Sequence, residues 1–113
     1  MNWTKLTSEA ELIDIVKKSH TEPQIIFKHS TRCGTSYLVK ENLEDSDLPE
    51  KTEFHLLDLI SHRSLSDQIA KLFTVRHESP QVLVIKDGIC IYNKAHSGIR
   101  IQGIINQLSP AIE

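Results

Sequence analysis

The stretch Ile25-Ile26-Phe27-Lys28-His29-Ser30-Thr31-Arg32-Cys33-Gly34-Thr35-Ser36 decides how this chain is read. A compact apolar run passes into small polar residues, and a cysteine follows where a helical pattern begins. A continuous rather than alternating apolar run marks a strand covered on both faces, as in parallel sheets. Ser30 or Thr31 is the expected N-cap of the next helix, since short oxygen-bearing side chains satisfy its first N–H groups. A thiol in the first turn of that helix meets unpaired N–H groups and the positive end of the helix dipole. That field favours thiolate over thiol, and thiolate is the nucleophile of disulfide exchange.

Working toward the N-terminus, Ser8-Glu9-Ala10-Glu11 has the capping-box pattern. Leu12, Ile15, Val16 and Ser19 follow at helical spacing, with Ile13 widening the stripe. A helix over residues 8–19 results, with Lys17 and Lys18 placed to suit its dipole and Pro23 beyond its end. Residues 3–6 read as a short edge strand. Toward the C-terminus the pattern predicts a helix over 33–44, with Tyr37, Leu38 and Leu43 facing inward. A solvated exit loop follows through Leu48 and Pro49, then a buried strand over 54–60. Ser64 with Asp67 is expected to cap a third helix, whose stripe is Leu65, Ile69, Leu72 and Phe73. A β-branched strand over 82–85 comes after Ser79-Pro80. Asp87-Gly88 then signals a hairpin returning over 89–92. Ile101, Ile104, Ile105 and Leu108 mark a closing helix.

Strands alternating with helices imply parallel pairing, and the hairpin adds an antiparallel edge. The expectation is one α/β domain over residues 1–113, with a central mixed sheet of about 4–5 strands flanked by about four helices. Ligands of open α/β sheets collect beyond the C-terminal ends of parallel strands, and Cys33 falls just past such an end.

Bulk properties narrow the function. The chain has 113 residues, an apolar fraction of 39% and a net charge of −2, so nothing in it argues for a nucleic-acid or anionic-membrane partner. Residues 1–6 lack an apolar leader core, and no stretch approaches the ~18 apolar residues of a membrane span, so a cytoplasmic location is expected. Two cysteines alone make neither a disulfide framework nor a zinc knuckle.

Cys33 is the expected nucleophile, helped by Arg32 beside it and by Lys28 or His29. Ser36 stands where a second thiol would stand in a Cys-x-x-Cys pair, placed to donate a hydrogen bond to the Cys33 thiolate. With no partner thiol at this spacing the chemistry is monothiol. Cys90 is expected to be structural. If Pro80 lies at the active edge, the hairpin carries Cys90 roughly 10–15 Å away at ~3.3 Å per residue, too far to resolve a mixed disulfide. The histidines are scattered, no metal site is expected, and His77 reads as a solvated loop residue.

The element order, Cys-x-x-Ser at a strand-to-helix turn and Ser-Pro before the hairpin together resemble the thioredoxin fold. Trp3, the run Phe27-Lys28-His29-Ser30-Thr31-Arg32-Cys33 and His77-Glu78-Ser79-Pro80-Gln81 before a strand and Asp87-Gly88 resemble the monothiol bacilliredoxins, the YtxJ-like family of the bacillithiol system. That resemblance covers essentially the whole chain. It implies removal of bacillithiol from the mixed disulfides of oxidised cytosolic proteins, with Cys33 attacking and bacillithiol as co-substrate rather than a tightly bound cofactor. It also implies a cis Ser79-Pro80 bond facing Cys33. Substrate contact would then fall to Thr31, Gly34, Thr35, Ser79 and Pro80. From charge, Arg32 and Lys28 are expected to attract the malate carboxylates of bacillithiol.

Two other readings stand beside this one. Cys33-Gly34-Thr35-Ser36 is one residue from the Cys-Gly-Phe-Ser of monothiol glutaredoxins, which bind glutathione and bridge iron–sulfur clusters. Their Thr-Val-Pro and Gly-Gly marks are absent here. The third reading is a non-catalytic thioredoxin-like domain that holds partner strands at the Pro80 loop.

Overall fold

A computed structural model of the protein describes residues 3–46 and 52–108. Its sheet is built around β2 (Gln24–His29), which is buried along its whole length. On one side β2 pairs in parallel with β3 (Glu53–Asp58), which pairs in parallel with β1 (Trp3–Lys5). On the other side it pairs antiparallel with β4 (Gln81–Lys86), which pairs antiparallel with β5 (Ile89–Ala95). The order across the sheet is β1-β3-β2-β4-β5.

Side chains of a strand alternate between faces, and both faces of β2 are covered. Ile26 and Leu83 pack against Leu12 and Ile15 of α1 (Glu9–Lys18) and Leu65 and Ile69 of α3 (Arg63–Phe73). Ile25 and Phe27 pack instead against Val39 and Leu43 of α2 (Gly34–Glu44) and Ile104 of α4 (Ile101–Leu108). Each such side chain contributes about 1.5–3 kcal/mol through burial. The expected mixed sheet, flanking helices and terminal hairpin are all present.

Several local expectations are corrected. Ser8 caps α1 by accepting the Glu11 N–H at 3.2 Å, but the Glu11 carboxylate reaches past it to the Thr7 N–H at 2.9 Å. The inward stripe of α2 is Ser36, Val39 and Leu43, whereas Tyr37 and Leu38 are 48% and 60% exposed. Ile13 and Leu72 likewise face outward, one step off the buried stripes of their helices. Neither Ser30 nor Thr31 caps α2. The Cys33 N–H donates to the Ser30 carbonyl at 3.1 Å, a turn that moves the cap to Cys33 itself.

At α3 the cap position is His62, not Ser64, and Asp67 pairs with Arg63 at 3.4 Å. The cause is Asp58, whose carboxylate accepts from the Ile60 N–H and the Ser61 hydroxyl, both at 3.0 Å. That Asx turn ends β3 early and starts α3 sooner. Leu48 and Pro49 lie outside the described residues.

The hairpin forms at Asp87-Gly88, with positive φ of 52° and 78°, as a type I′ turn requires. β5 continues past Tyr92 to Ala95, its register broken once between Val84 and Ile85. The turn is fastened to the end of α1: Asp87 N–H donates to the Ser19 carbonyl and Gly88 N–H to the Ser19 hydroxyl, both at 2.9 Å.

Candidate active site

The parallel strands β3 and β2 end together at Asp58 and His29, and β1 ends two residues short of them, with Lys5 opposite Leu56. β4 begins at the same edge, because Gln81 lies opposite Lys28. Ser79 and Pro80 immediately precede Gln81 and so lead into the sheet at this edge. The Ser79-Pro80 bond is cis, and the Pro80 carbonyl accepts the His96 N–H at 2.9 Å.

Cys33 occupies this edge as the N-cap of α2, half-buried, with extended φ of −117° and ψ of 118°. Its carbonyl accepts the Tyr37 N–H at 3.2 Å, while its side chain makes no capping bond. The sulfur is therefore not used to cap the helix. Thr31, Arg32, Gly34 and Thr35 surround it and are exposed. A Cβ added at Gly34 would meet nothing within 4 Å, so the approach beside the sulfur is open.

Ser36 is placed differently from its expectation. It is fully buried, accepts the Ser30 N–H at 3.0 Å and lies 2.6 Å from His29 Nδ1. Burial, with Lys40 nearby, lowers the His29 pKa. The partners of the Ser36 hydroxyl are thus the Ser30 N–H and the His29 ring rather than the Cys33 sulfur. The ring is further held between Phe27, stacked at 5.8 Å, and Tyr37, edge-on at 4.8 Å.

Lys28 also departs from expectation. It is fully buried on the α3 side of the sheet, donating to the Ser66 carbonyl at 3.2 Å and facing His77 Nδ1 at 3.3 Å. Its side chain is turned to α3 and serves neither the sulfur nor a carboxylate in solvent. Burial pushes the Lys28 pKa down to about 8. His77 is half-buried and bonded rather than solvated, its Nδ1 also 3.1 Å from Ser66 Oγ. The signal for this cluster lay in the sequence: an ammonium inside an otherwise apolar strand requires buried partners.

Cys90 lies opposite Ile85, toward the far end of β4. From Gln81 to Ile85 at ~3.3 Å per residue the separation is roughly 13 Å. Its thiol donates to the Tyr92 carbonyl at 3.2 Å, and burial pushes its pKa up. Both cysteines are free thiols.

The sequence matches the family described as monothiol bacilliredoxin BrxC over residues 4–104. The chain belongs to this family. The architecture agrees. A solved structure described as a candidate oxidoreductase with a thioredoxin fold is 25% identical, covers 92% of this chain and 91% of its own, and superposes with a TM-score of 0.82. Thioredoxin from Malassezia sympodialis, 16% identical, covers 95% and 90% with a TM-score of 0.73. Thioredoxin O2 from Arabidopsis thaliana, 24% identical, covers 94% and 93% at 0.71. The fold is thioredoxin-like, and the protein is a thiol-disulfide oxidoreductase. Among the described residues no helix is long and apolar enough to cross a membrane.

Proposed function

We propose that the protein removes bacillithiol from protein mixed disulfides through Cys33, acting as one thioredoxin-like unit over residues 1–113 in the cytoplasm. The observation that carries this reading is the single sulfur at the active edge. Cys33 caps α2 just past the end of β2, the Ser79-Pro80 bond before β4 is cis, and the position for a second thiol is a buried serine bonded to His29.

The chemistry runs in two exchanges. The Cys33 thiolate attacks the bacillithiol sulfur of the mixed disulfide; a new S–S bond forms, and the substrate protein leaves as thiolate. A second bacillithiol thiolate then attacks the Cys33 adduct, releasing Cys33 and forming bacillithiol disulfide. The substrate protein is reduced, and the one incoming bacillithiol is oxidised, ending in a disulfide with the bacillithiol that was removed. Arg32 and the N-terminal end of α2 hold the attacking charge. Thr31, Gly34 and Thr35 form the exposed approach, and Ser79-Pro80 forms the wall along which the substrate chain lies.

The test is release of bacillithiol from a bacillithiolated test protein, followed by mass spectrometry. Wild type and Cys90→Ser are expected to release it, and Cys33→Ser is expected to be inactive. Unchanged release by Cys33→Ser would sink the assignment. A bacillithiol adduct on Cys33 in protein taken from oxidatively stressed cells would name the small thiol directly.

A further inference from the structure

Lys28 is an ammonium buried in the central strand, and a methionine there would fill similar space without a charge to desolvate. Its contacts lead to one place. Nζ donates to the Ser66 carbonyl of α3 and faces Nδ1 of His77, which the Ser66 hydroxyl also reaches. An ammonium has no acceptor, so Nδ1 must accept and the ring proton sits on Nε2. His77 opens the segment that runs through Glu78 and Ser79 to the cis Pro80. The same segment is tied from β4, where the buried Gln81 side chain donates to the Arg76 carbonyl at 3.0 Å and accepts the Glu78 N–H at 3.4 Å.

We propose that Lys28 is a positioning residue: acting through His77 and Ser66, it fixes the loop over 77–80 whose Ser79 backbone edge receives the disulfide-bearing strand of the substrate protein. This rests on the thiol-exchange reading above. Burial, then Lys28 from β2 and Arg63 from α3, lower the His77 pKa, against the opposing pull of Asp67 on α3 and Glu78 in the loop itself. The lysine thus fixes both the place and the tautomer of a loop residue just before the substrate edge.

Lys28→Met removes the ammonium and keeps the volume. With a bacillithiolated peptide as substrate it is expected to raise KM about fivefold or more with kcat nearly unchanged, because peptide alignment is lost and the sulfur is not. Reaction of Cys33 with a small aromatic disulfide that offers no peptide strand should stay at the wild-type rate. Imidazole 15N resonances of His77 should change from one Nε2–H tautomer to a mixture. His77→Asn, which keeps an acceptor near Nδ1, is expected to retain the wild-type KM, and His77→Leu to reproduce the defect.

A folded Lys28→Met protein with unchanged KM, or with unchanged His77 resonances, overturns the inference. If the wild type itself fails to turn over the peptide, the thiol-exchange reading falls. The loop assignment is then judged on the His77 resonances alone: a changed tautomer supports it and an unchanged one overturns it.

Discussion

Ser36 Oγ lies 2.6 Å from His29 Nδ1, so the residue in the second-thiol position is bonded to the central strand. Replacing it tests what the hydroxyl does. Ser36→Ala leaves the His29 ring and the Ser30 N–H without their partner, and an orphaned buried group costs about 1–3 kcal/mol. The urea midpoint should fall by that free energy divided by the m-value, with m itself unchanged. An unchanged midpoint would show that the hydroxyl holds nothing.

Cys90 should be a poor nucleophile. Its thiol is raised by burial and donates to the Tyr92 carbonyl. With iodoacetamide at neutral pH, peptide mapping should find Cys90 modified about tenfold or more slowly in the folded protein than in urea. Equal rates would remove the structural reading of this residue.

The architecture was legible in the sequence because its signals are local and strong: the apolar run at Ile25-Ile26-Phe27, the Ser8 cap and the Asp87-Gly88 turn each specify their own geometry. The helix faces were less so. Tyr37 and Leu38 are apolar enough to read as core, yet the small hydroxyl of Ser36 takes the inward place because His29 and Ser30 bond it there. Polar partners of this kind depend on tertiary register, which no spacing along the chain encodes. Lys28 misled for the same reason. Its neighbours in sequence lead to the cysteine, but the strand turns its side chain to α3.

Acid should destabilise the fold. His29, His55 and His77 are each held below the ordinary 6.5, burial being the largest cause in all three. His55 is buried beside Gln24, with Nε2 2.8 Å from Oε1. Below 6.5 the unfolded chain takes up protons that the folded one refuses, so stability present above that pH is lost as pH falls. Tm measured from pH 7 to pH 5 should drop, and His55→Gln should lessen the drop. A flat profile would contradict neutral buried rings.

Alkali should act in the opposite direction through Lys28. Its folded pKa of about 8 lies below the ordinary 10.5, so between these values the unfolded chain binds more protons and stability rises with pH. The full window is worth about 3 kcal/mol at ~1.36 kcal/mol per pKa unit. Denaturant midpoints from pH 7 to pH 10 should show this slope in wild type and not in Lys28→Met. The variant should also be the more stable protein near neutral pH, by about 1–3 kcal/mol.

The Ser19 contacts to Asp87 and Gly88 set where the molecule can breathe. A two-residue turn at the surface would ordinarily open on its own, but this one cannot part from the end of α1 without breaking both bonds. Opening of the hairpin tip is therefore coupled to the end of α1 through these two bonds. At the opposite pole the first-turn N–H groups of α2 have no helical acceptor by position, and the chain around Cys33 is exposed. Two bonds thus oppose local opening at the end remote from the sulfur, while the chain around Cys33 stays exposed.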